Sequence, residues 1–312
     1  MKNSQINQPL VSVIIPNYNH ARYLDRRIQS VLNQTYRNIE VIILDDCSSD
    51  NSIEVIDKYR DDDRIAHVII NEKNSGNTFL QWDKGLHLAK GEIVWIAESD
   101  DYCELNMLEV LVNAFLSRKR NVLAYSTTWY VDDSGNKWEG SKEGRTQHFS
   151  GRNFLKKFFL LGNSVLNASC AVFSRECALS IDKKYQQYKG IGDYWFWLMI
   201  AEQGCVTIIN RHLNYFRRHA GVVTDRCVSS GVSLFDERAL VDYIINKYKV
   251  SKIRQTYVFQ YHATCKRGLQ FDTEEIHEKV VDIWEINKQY SSLDKFIFRV
   301  ASYFRRHFLL YF

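Results

Sequence analysis

The sequence predicts an α/β protein: a mainly parallel sheet flanked by helices, followed by a smaller antiparallel part and a helical C-terminal region. Three observations carry this. Between residue 11 and about 127, short apolar runs alternate with amphipathic segments, the signature of βα units on a parallel sheet. After Trp129 the rhythm changes around Asp132-Asp133-Ser134-Gly135-Asn136, a hairpin-type turn between antiparallel strands. From about 230 onward the chain is helical and charged, without turn-rich linkers. A length of 312 residues allows one large α/β domain with an appendage. We expect a main domain over 1–228, divided near 127, and a helical region over 229–312.

The first strand is expected over 11–15. A helix follows over 21–34, with Leu24, Ile28, Val31 and Leu32 on one face at helical spacing. The second strand, 41–44, runs into Asp45-Asp46-Cys47-Ser48-Ser49-Asp50, a polar turn whose last residue can cap a helix carrying Ile53, Ile56 and Tyr59. Residues 67–70 read as an edge strand, and 78–90 as a helix stopped by Gly91. Ile93-Val94-Trp95-Ile96-Ala97 is a strand covered on both faces. A helix over 105–118 and a strand over 122–126 come next. Beyond the hairpin we expect a short helix over 151–161, a strand over 169–174, a helix over 193–202 that closes at Gly204, and two strands over 206–209 and 213–217.

Bulk properties exclude several classes. A net charge of +4 lacks the basic excess of a nucleic-acid binder. Seven cysteines form no CxxC pair and no zinc-type spacing with histidine, which fits reduced thiols in the cytoplasm. The N-terminus shows no signal peptide, and no apolar run approaches the ~18 residues of a membrane span. The expected location is cytoplasmic, with a peripheral position on the inner face of the plasma membrane as the alternative.

Chemistry concentrates at strand ends, where open α/β sheets bind ligands. The covered strand ends in Glu98-Ser99-Asp100-Asp101, whose adjacent carboxylates could hold Mg²⁺ or Mn²⁺ against a phosphate. Alone, the pair reads first as a cap for the helix that begins near Leu105. The first strand ends in Pro16-Asn17-Tyr18-Asn19 and not in GxGxxG, so a dinucleotide site fails; Tyr18 could stack on a nucleobase. The second strand offers Asp46 to a base N–H or a ribose hydroxyl. Together, three strand ends would line one crevice suited to base, ribose and metal-bound diphosphate.

These motifs resemble the family 2 glycosyltransferases of the glycosyltransferase A fold. The resemblance lies in VSVIIPNYNHARYLDRRIQSVLNQTYRNIEVIILDDCSSDNS and NSGNTFLQWDKGLHLAKGEIVWIAESDD and spans roughly residues 10–225. It implies a Rossmann-like sheet, with a nucleotide-sugar half at about 10–127 and an acceptor half at about 128–228. It also implies a divalent cation and inverting transfer, from a nucleotide-sugar donor, UDP-linked, to a glycan or lipid-linked glycan acceptor in polysaccharide or glycolipid biosynthesis. By motif position Pro16 and Tyr18 would contact the base, Asp46 the base edge, Asp100 the ribose or metal, and Asp101 the metal as principal ligand. Asp193, before the aromatic-rich Tyr194-Trp195-Phe196-Trp197, is the candidate base, with a helix cap as its other reading. Relatives carry Glu-Asp where this chain has Gly192-Asp193, so the first acid's role has no occupant here. His219 could reach the metal or diphosphate, and Arg217 or Arg218 could neutralise the leaving group. Relatives carry an arginine before Gly85 that is missing here; Lys84 is the stand-in.

Residues 293–312 place Leu293, Phe296, Ile297, Val300, Phe304 and Phe308 on one helical face, and Lys295, Arg299, Arg305 and Arg306 on the other. The stripe either lies on an anionic membrane or packs on the domain. Two rival functions use the same crevice. A sugar-nucleotide nucleotidyltransferase would want a glycine- and Arg/Lys-rich loop after the first strand, which PNYNHARYL is not. A catalytically silent nucleotide-sugar-binding module would need no Asp193.

Overall fold

The computed structural model describes residues 8–140, 142–188, 190–218 and 223–308. The chain forms two compact units: Met1–Phe149 with Val165–Gln186 and Met199–His219, and Ser150–Ser164 with Gln187–Leu198 and Ala220–Phe312. The second unit thus takes in residues 150–164, 187–198 and 220–228, which a cut at 228 assigns to the main domain. Its apolar content explains why: Phe154, Phe159, Leu160, Phe196 and Trp197 are wholly buried, and the segments that carry them seek helical partners.

In chain order the elements are β1 (Val11–Asn17), α1 (Ala21–Leu32), β2 (Ile39–Asp45), α2 (Ser52–Asp57), β3 (Ile65–Ile70), α3 (Thr78–Leu88), β4 (Ile93–Ile96), β5 (Tyr102–Cys103), α4 (Met107–Leu116), β6 (Asn121–Val131), β7 (Lys137–Glu139) and β8 (Gln147–Ser150). There follow α5 (Gly151–Lys157), β9 (Ala171–Ser174), α6 (Arg175–Ser180), α7 (Gly192–Ala201), β10 (Cys205–Arg217), α8 (Val223–Ser229), α9 (Val232–Tyr248), α10 (Lys252–Lys266), α11 (Glu274–Ile283) and α12 (Ser292–Phe308).

The first unit is built on a sheet of order β3-β2-β1-β4-β9-β6-β10-β5, with β7 on β6 and β8 on β10. β1 runs parallel to β2 and β4, β2 to β3, and β6 to β10, whereas β9 is antiparallel to β4 and β6. The expected mainly parallel sheet with a smaller antiparallel part is therefore present, and β3 is an edge. Every residue of β1 and β2 is buried, as a strand covered on both faces requires. Leu24, Ile28 and Val31 of α1 and Leu108 and Leu111 of α4 pack with Val13, Ile15, Val41, Ile43 and Trp95. Each such side chain contributes about 1.5–3 kcal/mol by leaving water.

Three local expectations change. The two strands read at 206–209 and 213–217 are one 13-residue strand, β10, whose register against β6 shifts between Ile209 and His212 and again before Asn214. Such a bulge breaks the apolar alternation and reads in sequence as a gap. Asp50 does not cap the following helix in the ordinary way. Its Oδ2 accepts from the first N–H of α1, at Ala21 (2.9 Å), and its Oδ1 from Ser52 N (3.0 Å), so one carboxylate serves two helix starts. Nor does the Asp100-Asp101 pair cap α4, whose N-cap is Asn106. Glycine is required at 91, where an added Cβ would lie 2.5 Å from the Leu10 carbonyl oxygen.

In the second unit Trp284 of the α11–α12 connection is fully buried. Its indole N–H donates to the Leu234 carbonyl at 3.2 Å, and its ring meets the His262 imidazole at 4.3 Å and the Lys266 ammonium at 4.4 Å. Lys266 pairs with Glu237 at 2.8 Å, which satisfies a charge that could not stay buried alone. Burial pushes His262 down to about 4. α12 packs on α10 through Phe298, 5.5 Å from Tyr257, and through the buried Ala301. Leu293 and Phe296 are 66% and 63% exposed. The packed face of α12 is thus rotated away from the predicted stripe, part of which stays in water. No helix among the described residues is long and apolar enough to cross a membrane.

Candidate active site

Parallel strands deliver their carboxyl ends to one edge, and β1, β2 and β4 are adjacent there. Tyr18 follows β1 and is 46% exposed, while Pro16 lies buried within the strand. The turns after β1 and β2 lock together: Asp46 N donates to Asn17 O at 2.8 Å, Asn19 N to Ser48 Oγ at 2.9 Å, and Ser49 N to Asn19 Oδ1 at 2.7 Å. Asn19 and Cys47 both hold left-handed backbone, φ 55° and 64°, where a side chain other than Asn or Gly is strained. Two tight turns thus place Tyr18 and Asp46 side by side.

Asp46 is 5% exposed and fully engaged. Its Oδ1 accepts from Asn71 Nδ2 (2.7 Å) and Gln81 Nε2 (2.9 Å), and its Oδ2 from Ser75 N (3.0 Å) and Ser75 Oγ (2.7 Å). Lys84 joins this group indirectly by donating to Asn71 Oδ1 at 2.7 Å. The segment after β3 is thereby wrapped around the carboxylate. Gln81 Oε1 and Asn17 Oδ1 are buried acceptors without a protein partner.

The acid motif after β4 is held from three sides. Asp101 is 1% exposed; its Oδ1 accepts from Arg217 N at 2.9 Å, and its Oδ2 from Asn167 Nδ2. Arg217 Nε also donates to the Asp100 carbonyl oxygen at 2.9 Å. Beneath them Arg27 of α1, wholly buried, donates to Glu98 O (2.8 Å) and Ser169 Oγ (3.1 Å), and its Nη2 lies 3.8 Å from Asp101 Oδ2. Asp100 is the more exposed of the pair. Glu98 accepts from Trp82 Nε1 at 2.9 Å.

Charge at this end is unbalanced. Glu98 is pushed up to about 8 and Asp101 to about 7, each first by burial and then by the neighbouring Asp100, while Arg27 opposes both shifts. Three carboxyl groups share this end with two guanidinium groups, those of Arg27 and Arg217. Among the described residues no group of three His, Cys, Asp or Glu side chains converges. One or two carboxylates, with the remaining ligands from phosphate and water, is what Mg²⁺ ordinarily takes from a protein, so the residues present fit such an ion.

Arg217 meets the acid pair; Arg218 lies 5.9 Å from the Phe216 ring, and its N–H donates to Val131 O. His219 lies outside the described residues. Asp193 belongs to the second unit, in the first turn of α7. Asn163 Nδ2 donates to its Oδ2 at 3.0 Å, and loss of water around it pushes it up to about 6.

Sequence reasoning missed Arg27, Asn167 and Ser169. Arg27 had a signal: it stands three residues after Leu24 and next to Ile28, a charge inside an apolar stripe. Asn167 and Ser169 had none, since their role comes from a contact across 66 and more residues.

The family 2 glycosyl transferase model matches residues 12–184, more than half of the chain. This chain belongs to glycosyltransferase family 2. Among the family's members, glycosyltransferase GlyG of Streptococcus pneumoniae is 35% identical over 127 residues, 41% of this chain and 42% of that protein. Hyaluronan synthase of Pasteurella multocida is 37% identical over 137 residues, 43% of this chain and 14% of that protein. The chain spans 42% and 14% of the length of these two relatives. The crystal structure of S. aureus TarS 1-349 in complex with UDP-GlcNAc superposes with a TM-score of 0.66 at 16% identity, covering 88% of this chain and 80% of that one. At that identity the likeness establishes the fold, the glycosyltransferase A architecture that the sequence motifs imply.

Proposed function

We propose that this chain moves a sugar from a UDP-linked donor to a hydroxyl of a glycan or lipid-linked glycan, with inversion, in polysaccharide or glycolipid biosynthesis. The observation that carries this is the gathering of Tyr18, Asp46 and the Asp100-Asp101 pair at the ends of three adjacent parallel strands. An exposed aromatic ring and an engaged carboxylate with unpartnered amide oxygens beside it suit a base, and the acidic pair suits a ribose and a metal-bound diphosphate. The TarS neighbour that binds UDP-GlcNAc supports the donor class.

Asp100 and Asp101 would hold Mg²⁺ or Mn²⁺. When bound, such an ion offsets the charge that builds on the departing diphosphate. Arg217 braces the pair through its N–H and its Nε. Asp193 serves as the general base. A carboxyl raised to about 6 is ionised at neutral pH yet more basic than an exposed one, which suits proton removal from an acceptor hydroxyl. Leu293 and Phe296, exposed beside Lys295 and Arg299, form the membrane-facing part of 293–312, and vesicles of anionic lipid should retain the protein through them. The decisive experiment is calorimetric titration of UDP in Mn²⁺ and in chelator, followed by release of UDP from UDP-sugars. Binding only with metal, together with slow hydrolysis of one UDP-sugar, is expected; no UDP binding under either condition overturns the reading.

A further inference from the structure

Tyr130 of β6 stands in register between Trp138 of β7 and Phe216 of β10. Their rings make a row across three neighbouring strands. Trp138 stacks on Tyr130 at 5.6 Å between centroids and 29° between planes, and Tyr130 meets Phe216 at 5.5 Å. Neighbouring strands lie about 4.8 Å apart, so the row reaches roughly 10 Å across the sheet. It is not core: Trp138 is 44% exposed, and Tyr130 and Phe216 are partly exposed.

The opposite face of the same strands shows what an aromatic row looks like when its role is internal. Side chains alternate along a strand, so Trp129 and Tyr215 point the other way. There Tyr102 lies between the Arg26 guanidinium, 3.3 Å from its centroid, and the Tyr215 ring, stacked at 4.3 Å. Lys137 sits 5.4 Å from the Tyr215 ring and 5.6 Å from that of Trp129. That row is closed by cations. On the Trp138 face the indole end is left to solvent.

The inner end of the Trp138 row adjoins the acid motif. Arg217, next after Phe216, gives its N–H to Asp101, and the Arg218 guanidinium lies 5.9 Å from the Phe216 ring. Behind the row, Cys170 Sγ bonds the carbonyl of Asn167, the residue that holds Asp101. A pyranose presents an apolar face of C–H bonds and a rim of hydroxyls. It calls for a flat apolar ring with polar groups along one edge.

We infer that the row Trp138, Tyr130 and Phe216 is a pyranose-binding platform for the acceptor glycan. A sugar ring lays its C–H face on the Trp138 indole, and the Tyr130 hydroxyl and Arg218 guanidinium receive its hydroxyls. This rests on the glycosyl-transfer reading above and adds where the acceptor lies relative to the acid motif.

The test uses the full chain and three probes: cellotetraose and chitotetraose as pyranose ladders, and UDP with Mn²⁺ for the donor side. Saturation-transfer NMR should show contact at ring C–H protons of at least one tetraose. Trp138→Ala should weaken its binding about tenfold, the size expected for one aromatic contact, and Trp138→Tyr should restore most of it. UDP affinity should be equal in all forms. Trp138→Thr, which keeps a strand-favouring residue, replaces the alanine variant if that one melts early. Unchanged tetraose binding in the variants, or none to the unaltered chain while UDP still binds, overturns the platform alone. Failure of the unaltered chain to bind UDP overturns the glycosyl-transfer reading beneath it.

Discussion

Arg27 Nη2 lies 3.8 Å from Asp101 Oδ2, and both side chains are wholly removed from water. A buried ion pair of this kind contributes little by existing but costs much to break, because the surviving charge has nowhere to go. Arg27→Met should therefore leave Glu98 and Asp101 without the guanidinium that opposes their burial and lower unfolding stability by about 3–5 kcal/mol, read from urea melts at pH 7.5. Arg27→Lys should recover little, since one ammonium cannot reach both Glu98 O and Ser169 Oγ.

Asp193 sets a pH dependence with a definite sign. Its folded-state carboxyl titrates at about 6, above its ordinary value, so transfer should fall as pH drops through about 6, where the base becomes protonated. Stability runs the other way. A raised folded value means that the contribution is fully present below the ordinary carboxylate range and is lost as pH rises through about 6. Asp193→Asn should thus melt higher than the parent at pH 8, lose transfer by about 10²–10⁴-fold, and still bind UDP.

Metal removal should separate the two acids of the motif. Chelation should abolish donor release. Asp100→Ala should weaken UDP binding in Mn²⁺ and leave binding in chelator as it was. Asp101→Asn keeps an acceptor for Arg217 N but strips Arg27 of its buried partner, so it should lower stability as Arg27→Met does and also reduce metal-dependent binding. Titrations in Mn²⁺ and in chelator check both.

Gly91 approaches backbone so closely that alanine there must push against the Leu10 oxygen at 2.5 Å and Ser12 N at 2.9 Å. Gly91→Ala should destabilise the first unit by about 1–3 kcal/mol, visible as a lower urea midpoint without a change in slope.

What could be read in advance followed the physics that is local. The mostly apolar β1, β2 and β4 announced a parallel sheet, and their polar termini announced Tyr18, Asp46 and the acid pair. β5, two residues long, carries no period to detect. β10 hid as two strands because its bulge interrupts the alternation. The bracing of Asp101 by Asn167 and Arg217 was invisible for a different reason: both partners are set by tertiary closure, and neither residue type at its position differs from an ordinary loop or strand residue.

Asp46 carries a consequence of another kind. Its two oxygens are shared among Asn71, Ser75 and Gln81, so any nucleobase that addresses this carboxylate does so through the donors already arranged around it. Under the proposed function, choice of base would be delegated from a buried strand end to a stretch of loop and the first turn of a helix. Loops accept substitution without disturbing the sheet beneath them. Descendants of this chain could therefore drift toward a new nucleotide while keeping every residue of the framework.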